Sequence, residues 1–218
     1  MPKIYTKTGD QGQCSLGNGR RVFKCDPVVE ALGDMDELNA VIGVANQMQN
    51  SKFNPESFRG QNSNSKLKIS KILCQIQRDL FSIGAILSGA QRVKKDLLKA
   101  RVKFLEKQID KLSKDLPELK NFILPGGCQT ASFLHLARAV CRRAERRVVS
   151  CNPVSLQGKL AGSNMPHRQS AEEADVKSIS NIKNKQVVAY LNRLSDFLFV
   201  LARWVNYQTG TEEEIIKF

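Results

Sequence analysis

Apolar residues recur at steps of three and four along five stretches of the chain, which is the spacing of one face of an α-helix. These stretches cover about residues 28–49, 66–88, 93–116, 128–149 and 185–208. No run of alternating apolar and polar residues indicates a strand. The pattern therefore predicts an all-α fold, a five-helix antiparallel bundle. With 218 residues, 41% of them hydrophobic, the chain fits a single domain over 1–218.

The connections between these stretches differ in composition. Residues 1–27 carry four glycines among Thr, Ser, Asp and Asn, which predicts a glycine-rich N-terminal loop segment. Residues 50–65 are rich in Asn, Ser and Gln, and residues 150–184 hold many Ser, Asn and Gly and no aromatic residue. Both read as exposed loops, and 150–184 as an extended loop that is partly disordered. No stretch of about 18 apolar residues is present, so no membrane span is expected.

Charge and cysteine content narrow the classes of function. The net charge of +13, from 34 Lys and Arg against 21 Asp and Glu, favours polyanionic partners such as nucleic acid, an acidic membrane surface or phosphorylated small molecules. The six cysteines form no C-x-x-C pair and predict free thiols in a reducing compartment. We expect the cytoplasm, or the mitochondrial matrix if a presequence has been removed. The two histidines lie at no zinc-ligand spacing from a cysteine pair.

The fourth predicted helix carries the densest arginine cluster. At its period, His135, Arg138, Arg142, Glu145 and Arg146 share one polar arc beside an apolar stripe. Arginine suits phosphate because its planar fork donates two parallel hydrogen bonds and keeps its charge. Glu145 is spaced to hold the Arg138 and Arg142 guanidiniums. A surface ladder of Arg and Glu is the alternative interpretation, and a satisfied core histidine is the alternative for His135.

Two further helices carry polar residues away from their core stripes. In the fifth, Asn192, Asp196 and Phe199 share a line that indicates a ligand pocket or a subunit interface, although ordinary packing also explains Phe199. In the first, Asp36 is placed to pair with an arginine. Alternatively, it is an acidic residue that the helix dipole stabilises near the N-terminus.

The remaining candidate positions lie in connections. Glycines, hydroxyl residues and Lys7 over residues 6–16, with Lys24, suit a loop that turns its N–H groups toward an anion. The segment is no Walker A motif, and a flexible tail is the alternative. Phe122 precedes Pro125 in a rigid turn, where it either staples the start of the fourth helix or projects into a pocket.

Taken together these segments resemble the ATP:cob(I)alamin adenosyltransferase family of the propanediol-utilisation type. The matching pieces follow the family's order and span nearly the whole chain: 6–16, 29–43, 122–127, 138–147 and 190–203. The resemblance implies a homotrimer of five-helix bundles with active sites between neighbouring subunits. It implies transfer of the 5′-deoxyadenosyl group of ATP to the cobalt of cobalamin, with release of triphosphate.

The resemblance also implies roles for residues. From the N-terminal segment, residues 1–27, the triphosphate would be lined by Thr6, Lys7, Thr8, Gly9, Cys14, Ser15 and Lys24. From the helices, ATP would be held by Arg142, Arg143, Ala144, Glu145, Arg146 and Asn192. Asp36 would pair with Arg138 across the subunit interface, and Asp196 would belong to the catalytic set. Phe122 and Phe199 would form an apolar wall under the corrin ring, and Mg²⁺ would bridge phosphate oxygens, with no protein ligand assigned to it.

Two departures from the family pattern stand out. Cys14 occupies a position where the family usually has Thr or Ser, which weakens one phosphate donor, and the stretch between Arg147 and Tyr190 is longer than usual. Two other functions stay open at this stage. One is a non-catalytic basic helical bundle that binds nucleic acid, against which the dispersed aromatics and the absence of a recognised motif count. The other is a family member that mainly delivers adenosylcobalamin to a client mutase, with a cobalamin reductase as a further possible partner.

Overall fold

The computed structural model describes residues 3–50, 63–90, 97–151 and 171–216. Within these ranges the chain forms five helices, which confirms the predicted helical bundle. They are α1 (Pro27–Asn50), α2 (Ser63–Leu87), α3 (Leu97–Ser113), α4 (Gln129–Ser150) and α5 (Ala171–Thr209). The α4 helix packs against both α1 and α5, while α3 lies on α5 and α2 lies on α1.

The N-terminal segment is more ordered than a plain loop. Strands β1 (Gln13–Ser15) and β2 (Arg21–Phe23) pair antiparallel, with Cys14 opposite Val22. Three residues per strand are too few for an alternating pattern to be visible in the sequence. The hairpin is fixed to the end of α2, because the Asn18 N–H donates to the Ser88 carbonyl at 3.2 Å.

The predicted extended loop over 150–184 is wrong for residues 171–184. The α5 helix begins at Ala171 and not near Lys185. Ala, Glu and Lys in this stretch favour helix, and adding turns to an existing helix requires no new nucleus. The high Ser and Asn content outweighed that propensity in the sequence interpretation. The predicted loop over 51–62 and the rest of the second loop, 152–170, lie outside the described residues.

The core follows the predicted apolar stripes. In α1 every stripe position is buried: Ala31, Met35, Leu38, Ile42 and Ala45. In α4 the innermost positions are small or medium-sized and fully buried: Ala137, Cys141, Ala144 and Val148. Small side chains let α1 and α5 approach α4 closely, so that the polar residues of α4 are left at the edges of these contacts.

The α3–α4 loop, residues 114–128, is pinned at both ends by α5. The Trp204 indole donates to Asp115 at 3.2 Å. At the other end the Asn206 amide donates to the Gly126 carbonyl and accepts from the Cys128 N–H, both at 3.0 Å. Gly127 lies between these two bonds with φ of 107°, and a Cβ there would overlap the Asn206 side chain. Glycine is therefore required at 127 on two grounds, its backbone conformation and the space.

A buried polar network joins α2, α3 and α5. The fully buried Tyr190 donates its hydroxyl to Asp79 at 3.1 Å, and Arg101 and Gln75 reach the same carboxylate at 3.1 and 3.0 Å. Burial raises the pKa of Asp79, although each of these partners favours its charged form. The network satisfies a carboxylate that would otherwise be costly to enclose.

The network predicts the effect of removing one hydroxyl. Tyr190→Phe should lower the free energy of unfolding by about 1–3 kcal/mol, because Asp79 loses a buried donor. The exposed Tyr207 offers the matched control, and Tyr207→Phe should change stability by less than about 0.5 kcal/mol. Urea unfolding followed by circular dichroism measures both, and equal stability of the two variants would contradict the assigned role of the hydroxyl.

Candidate active site

A cleft of about 320 Å³ opens where α4, α5 and the α3–α4 loop meet. One part of its lining is apolar and comes from the loop and α5: Leu119, Phe122, Ile123, Pro125 and Phe199. The other part is polar and comes from the two helices: His135, Arg138, Arg142, Ser195 and Asp196. Five residues proposed from the sequence for the reaction chemistry thus share one cleft, namely Phe122, Arg138, Arg142, Asp196 and Phe199.

Phe122 stands at the apolar wall with 72% of its surface exposed. A ring this exposed does not act as a buried staple for the start of α4, so that interpretation is wrong. The backbone around the ring is held, because the Phe122 carbonyl accepts from the Ile216 N–H at 2.8 Å and the Leu124 N–H donates to Glu214 at 2.9 Å. The aromatic side chain is therefore presented on a fixed main chain.

Arg138 lies beside the second aromatic residue of the wall. Its guanidinium carbon is 5.9 Å from the centre of the Phe199 ring, a cation–π distance. The Arg138 Nε is buried and has no hydrogen-bond partner among the described residues. Burial, and then the charge of Arg142, lower the pKa of Arg138, so the group gains from any anionic partner that approaches it.

His135 forms the floor of the cleft and is only 3% exposed. Its ring meets Phe199 edge to face at 6.0 Å, and neither imidazole nitrogen has a hydrogen-bond partner in the described part of the chain. Burial, followed by the positive charge of Arg138, lowers the pKa of His135 to about 4. His135 is therefore neutral near pH 7. It is buried, as the alternative interpretation held, but its nitrogens are not satisfied.

The arginines of α4 divide into two groups. Arg142 and Arg146 are exposed, and their guanidinium groups form no hydrogen bond or ion pair with described residues. Arg143, in contrast, pairs with Asp34 at 3.0 Å and with Glu37, both on α1. Arg147 reaches Glu30 at 3.4 Å. Acidic residues of α1 thus neutralise Arg143 and Arg147, which lie outside the polar arc, whereas Arg142 and Arg146 of the arc have no such ion pair in the described part of the chain.

Glu145 does not hold the Arg138 and Arg142 guanidiniums, contrary to the sequence interpretation. Its carboxylate accepts instead from the Asn192 side-chain amide at 3.2 Å, because α5 packs along this edge of α4. The contact brings together two residues proposed for ATP from separate helices. Ala144, also proposed for ATP, is fully buried in the core, so its methyl group is inaccessible to a ligand.

Asp196 lines the same cleft and is held in place by a neighbour on its own helix. The Arg193 guanidinium donates to Asp196 at 2.6 Å and to Glu106 of α3 at 3.2 Å. The side chain of Asp196 remains about half exposed, at 49%. It contributes a carboxylate on the polar side of the cleft, opposite in charge to Arg138 and Arg142.

The hairpin gathers the N-terminal candidates. The Thr6 and Thr8 hydroxyls lie 2.9 Å apart. A Cβ at Gly9 would come within 3.6 Å of the Lys24 ammonium nitrogen, so this lysine lies against the glycine backbone. Lys7 has a positive φ of 59° and directs its neighbouring backbone into a tight turn. Hydroxyls and a lysine beside a glycine backbone are components of an anion site.

Arg21 is a member of this cluster that the sequence interpretation missed. It donates to the Thr8 carbonyl at 2.9 Å and to the Ser15 hydroxyl at 3.4 Å. The strand register places Arg21 directly opposite Ser15, which explains the contact. Only the strand register identifies Arg21 as a member of the cluster, and strands of three residues leave no signal in the sequence that would predict this register. Cys14 is partly buried, and its place in the pairing is opposite the buried Val22.

The two halves of the predicted site do not meet within one chain. No hydrogen bond or ion pair joins residues 3–25 to Arg138, Arg142, Arg146 or Asn192, all of which the structure describes. Asp36 is exposed in a groove between α1 and α2 that also holds Phe81, a residue with 70% exposure. Asp36 and Arg138 are therefore not paired with each other within the described part of the chain.

Two general properties complete the description. None of the helices in the described ranges is long and apolar enough to cross a membrane. The same part of the chain holds no group of three or more His, Cys, Asp or Glu residues that could bind a metal ion by itself.

Comparison with known proteins identifies the family. The family model for cobalamin adenosyltransferase matches residues 4–205. The corrinoid adenosyltransferase of Bacillus subtilis is 39% identical over 209 residues, covering 95% of this chain and 89% of that protein. The corrinoid adenosyltransferase of Homo sapiens is 38% identical over 218 residues, covering 99% and 73%.

Solved structures agree with the sequence relatives. A PduO-type ATP:corrinoid adenosyltransferase from Lactobacillus reuteri, a variant complexed with cobalamin and ATP, superposes with a TM-score of 0.71. It is 30% identical and covers 99% of this chain and all of its own. A second variant of that enzyme, complexed with ATP, gives 0.70 at 31% identity, with 98% of this chain covered. The chain belongs to the cobalamin adenosyltransferase family.

Proposed function

We propose that this enzyme transfers the 5′-deoxyadenosyl group of ATP to the cobalt of cob(I)alamin, giving adenosylcobalamin and triphosphate. The observation that carries the proposal is the cleft in which an exposed aromatic wall meets arginines without ion-pair partners in the described chain. A flat apolar ring system suits the wall formed by Phe122 and Phe199. A polyphosphate suits Arg142 in the cleft and Arg146 one turn further along α4, because neither has an ion pair in the described chain.

The reaction is a single displacement. The cobalt–carbon bond forms at C5′ of the ribose as the bond from C5′ to the triphosphate oxygen breaks, and the electron pair of that bond leaves with triphosphate. Cob(I)alamin is itself a strong nucleophile, so the protein needs no side-chain nucleophile or general base. Its contribution is to align the two substrates and to stabilise the charge gathering on the leaving group, which is the role assigned to Arg142 and Arg146.

The aromatic wall acts before the transfer. Reduction of cob(II)alamin is difficult while a lower ligand stays bound to cobalt. Phe122 projects from a fixed backbone into the cleft, so a corrin ring seated there would have the phenyl group in the place of that ligand. Excluding the ligand and water from one face of the ring makes the one-electron reduction easier.

The complete site is formed between subunits of a homotrimer. The hairpin of one subunit supplies Thr6, Thr8, Ser15 and Lys24 to the triphosphate, and α4 and α5 of its neighbour supply the cleft. Asp36 of one subunit pairs with the partner subunit's Arg138. Three observations support this arrangement: the hairpin and the cleft do not meet within one chain, Asp36 is exposed, and the Arg138 Nε is buried without a described partner.

Mg²⁺ belongs to the proposal as the companion of ATP. Such a small, hard cation usually binds through substrate phosphates and water, with few protein ligands. The hairpin offers hydroxyls, Arg21 and Lys24, a donor set that fits phosphate oxygens better than a metal. When bound, the ion neutralises part of the triphosphate charge. All six cysteines are free thiols, which supports a reducing compartment such as the cytoplasm or the mitochondrial matrix.

Arg142 provides the test of nucleotide binding. Arg142→Ala should raise the KM for ATP and lower kcat, since losing one charge-assisted contact in a desolvated site costs about 2–4 kcal/mol. Arg147→Ala is the matched control on the same helix, because Arg147 is already paired with Glu30. Steady-state kinetics with reduced cobalamin measures both variants, and wild-type kinetics for Arg142→Ala would exclude the residue from the ATP site.

Asp36 provides the test of assembly. We expect a trimer by light scattering. Asp36→Ala should keep its helix content but lose activity, because the partner's Arg138 is left without its counter-charge at the interface. Asp110→Ala makes the same change on the exposed face of α3 and should behave as wild type. A monomeric, fully active wild-type enzyme would refute the between-subunit site.

Phe122 provides the test of the cobalt chemistry. Phe122→Ala should fold normally, because the ring is largely exposed, and its ATP affinity should be unchanged. It should bind cob(II)alamin without forming the four-coordinate species and should be slow when cobalamin is reduced on the enzyme. Leu136→Ala, which truncates another exposed apolar residue of α4, serves as the control. Unchanged four-coordinate absorption and turnover in Phe122→Ala would show that the wedge role is wrong.

A further inference from the structure

The middle of the α3–α4 loop has open space on both sides. On one side lies the cleft of about 320 Å³, and on the other an apolar cavity of about 680 Å³ between the loop and residues 210–216. Leu119 and Ile123 line both spaces, so this part of the loop separates them. A segment with so few packed neighbours is held by its hydrogen bonds more than by dispersion contacts. The position of Phe122 therefore depends on what those bonds attach to.

The attachment is the C-terminal segment, residues 210–216. Ile123 and Ile215 form an antiparallel bridge, flanked by the hydrogen bond from the Ile216 N–H to the Phe122 carbonyl and the bond from the Leu124 N–H to the Glu214 carbonyl. Trp204 and Asn206 pin the two ends of the loop, but these bonds lie at residues 115 and 126–128. The bridge is thus an attachment at the Phe122 backbone itself.

An ion pair in turn fixes the C-terminal segment, in addition to the hydrogen bond from the Thr211 N–H to the Asn206 carbonyl at 2.9 Å. Arg203 Nε donates to both oxygens of the Glu213 carboxylate, at 3.2 and 3.0 Å, and another nitrogen of Arg203 donates to the Pro117 carbonyl at 3.2 Å. The two side chains are only 8% and 18% exposed. A pair shielded to this degree is weakly screened by solvent and salt. Arg203 therefore joins α5, the loop and the C-terminal segment at one point.

The same helix face carries the other aromatic residue of the cleft. Phe199 lies one turn before Arg203 on α5, so the two side chains leave the helix on neighbouring positions of one face. Phe199 is placed directly by α5. Phe122 is placed through Arg203, Glu213 and the bridge, which also start from α5. Both aromatic residues of the wall are in this way positioned by a single helix, α5.

We infer that the Arg203–Glu213 pair and the C-terminal segment are positioning elements for Phe122. They determine where the Phe122 ring lies in the cleft. This inference rests on the proposed function for the role of Phe122 toward cobalamin. According to this inference, Arg203 and Glu213 do not touch the substrates. They act through the backbone of the α3–α4 loop.

Two variants weaken the attachment of Phe122 at different points. Glu213→Gln removes the negative charge that holds Arg203, and Ile216→Pro removes the N–H that bonds to the Phe122 carbonyl without touching the ion pair. The controls are Glu212→Gln, the same change on the preceding exposed residue, and Ile216→Ala, which keeps the N–H. Because Ile216 lies outside the five helices, Ile216→Pro tests the inference even if Glu213→Gln folds poorly.

Hydrogen exchange measures position independently of activity. In both variants the amides of residues 119–124 should exchange about tenfold faster, as expected for the loss of one tether, while those of α4 stay as in wild type. Turnover starting from cob(II)alamin should fall by about tenfold to 100-fold, with less of the four-coordinate species. The KM for ATP should be unchanged, because Arg142 and the hairpin are untouched, and the control variants should match wild type.

The possible failures are distinguishable. Wild-type exchange of the loop in both variants would overturn the positioning role, whatever their activity. Faster exchange with undiminished cob(II)alamin turnover would also overturn it, provided that Phe122→Ala is defective. If Phe122→Ala itself turns over normally, the wedge part of the proposed function fails first, and the inference falls with it.

Discussion

The close packing of α4 between α1 and α5 is the constraint on which the rest of this structure depends. The inner face of α4 is made of small residues, so the neighbouring helices approach closely and the polar residues are confined to two edges. One edge faces α1 and the other faces α5 and the α3–α4 loop. A bulkier core residue at Ala137 or Ala144 would push the helices apart and separate Glu145 from Asn192 and Arg138 from Phe199.

The two edges use arginine in opposite ways. Toward α1, Arg143 and Arg147 meet Asp34, Glu37 and Glu30, and their charges are neutralised within the chain. Toward the cleft, Arg138 lies on an aromatic ring and next to a neutral histidine, with no carboxylate bonded to it among the described residues. A charge kept in such surroundings is costly for the free protein, and an anionic ligand or a partner's carboxylate relieves that cost. The arginines of the two edges thus differ in their neighbours.

Much of the fold was predictable because it is periodic. The stripes of α1 and α4 appear in the sequence with the spacing that the helices then use, and most of their positions are buried, although His135 and Asn39 are buried outside the stripes. What the sequence did not reveal depends on contacts between elements. Arg142 and Arg143 are adjacent in the sequence, yet only the position of α1 shows that Arg143 forms an ion pair with Asp34. Arg21 becomes visible only through a register of three-residue strands.

The same limit applies to segments without a period. In the first turns of α5, the Ser and Asn content predicts a loop, whereas the Ala and Glu residues favour the helix that forms there. The C-terminal segment has no pattern at all, since a bridge of one residue pair leaves no trace in composition. Phe122 could be singled out from its rigid turn. Its exposure could not, because that follows from the two spaces that flank the loop and from the ion pair at Arg203.

Gly127 illustrates how this architecture constrains the gene that encodes it. It lines neither the cleft nor the cavity behind the loop, and any side chain there would displace Asn206, which anchors the loop to α5. The helices would keep their own packing, so a missense change at this codon would yield a protein of ordinary abundance and helicity. A screen for inherited or engineered variants would class such a protein as folded, and only a measurement on the loop itself would find the defect.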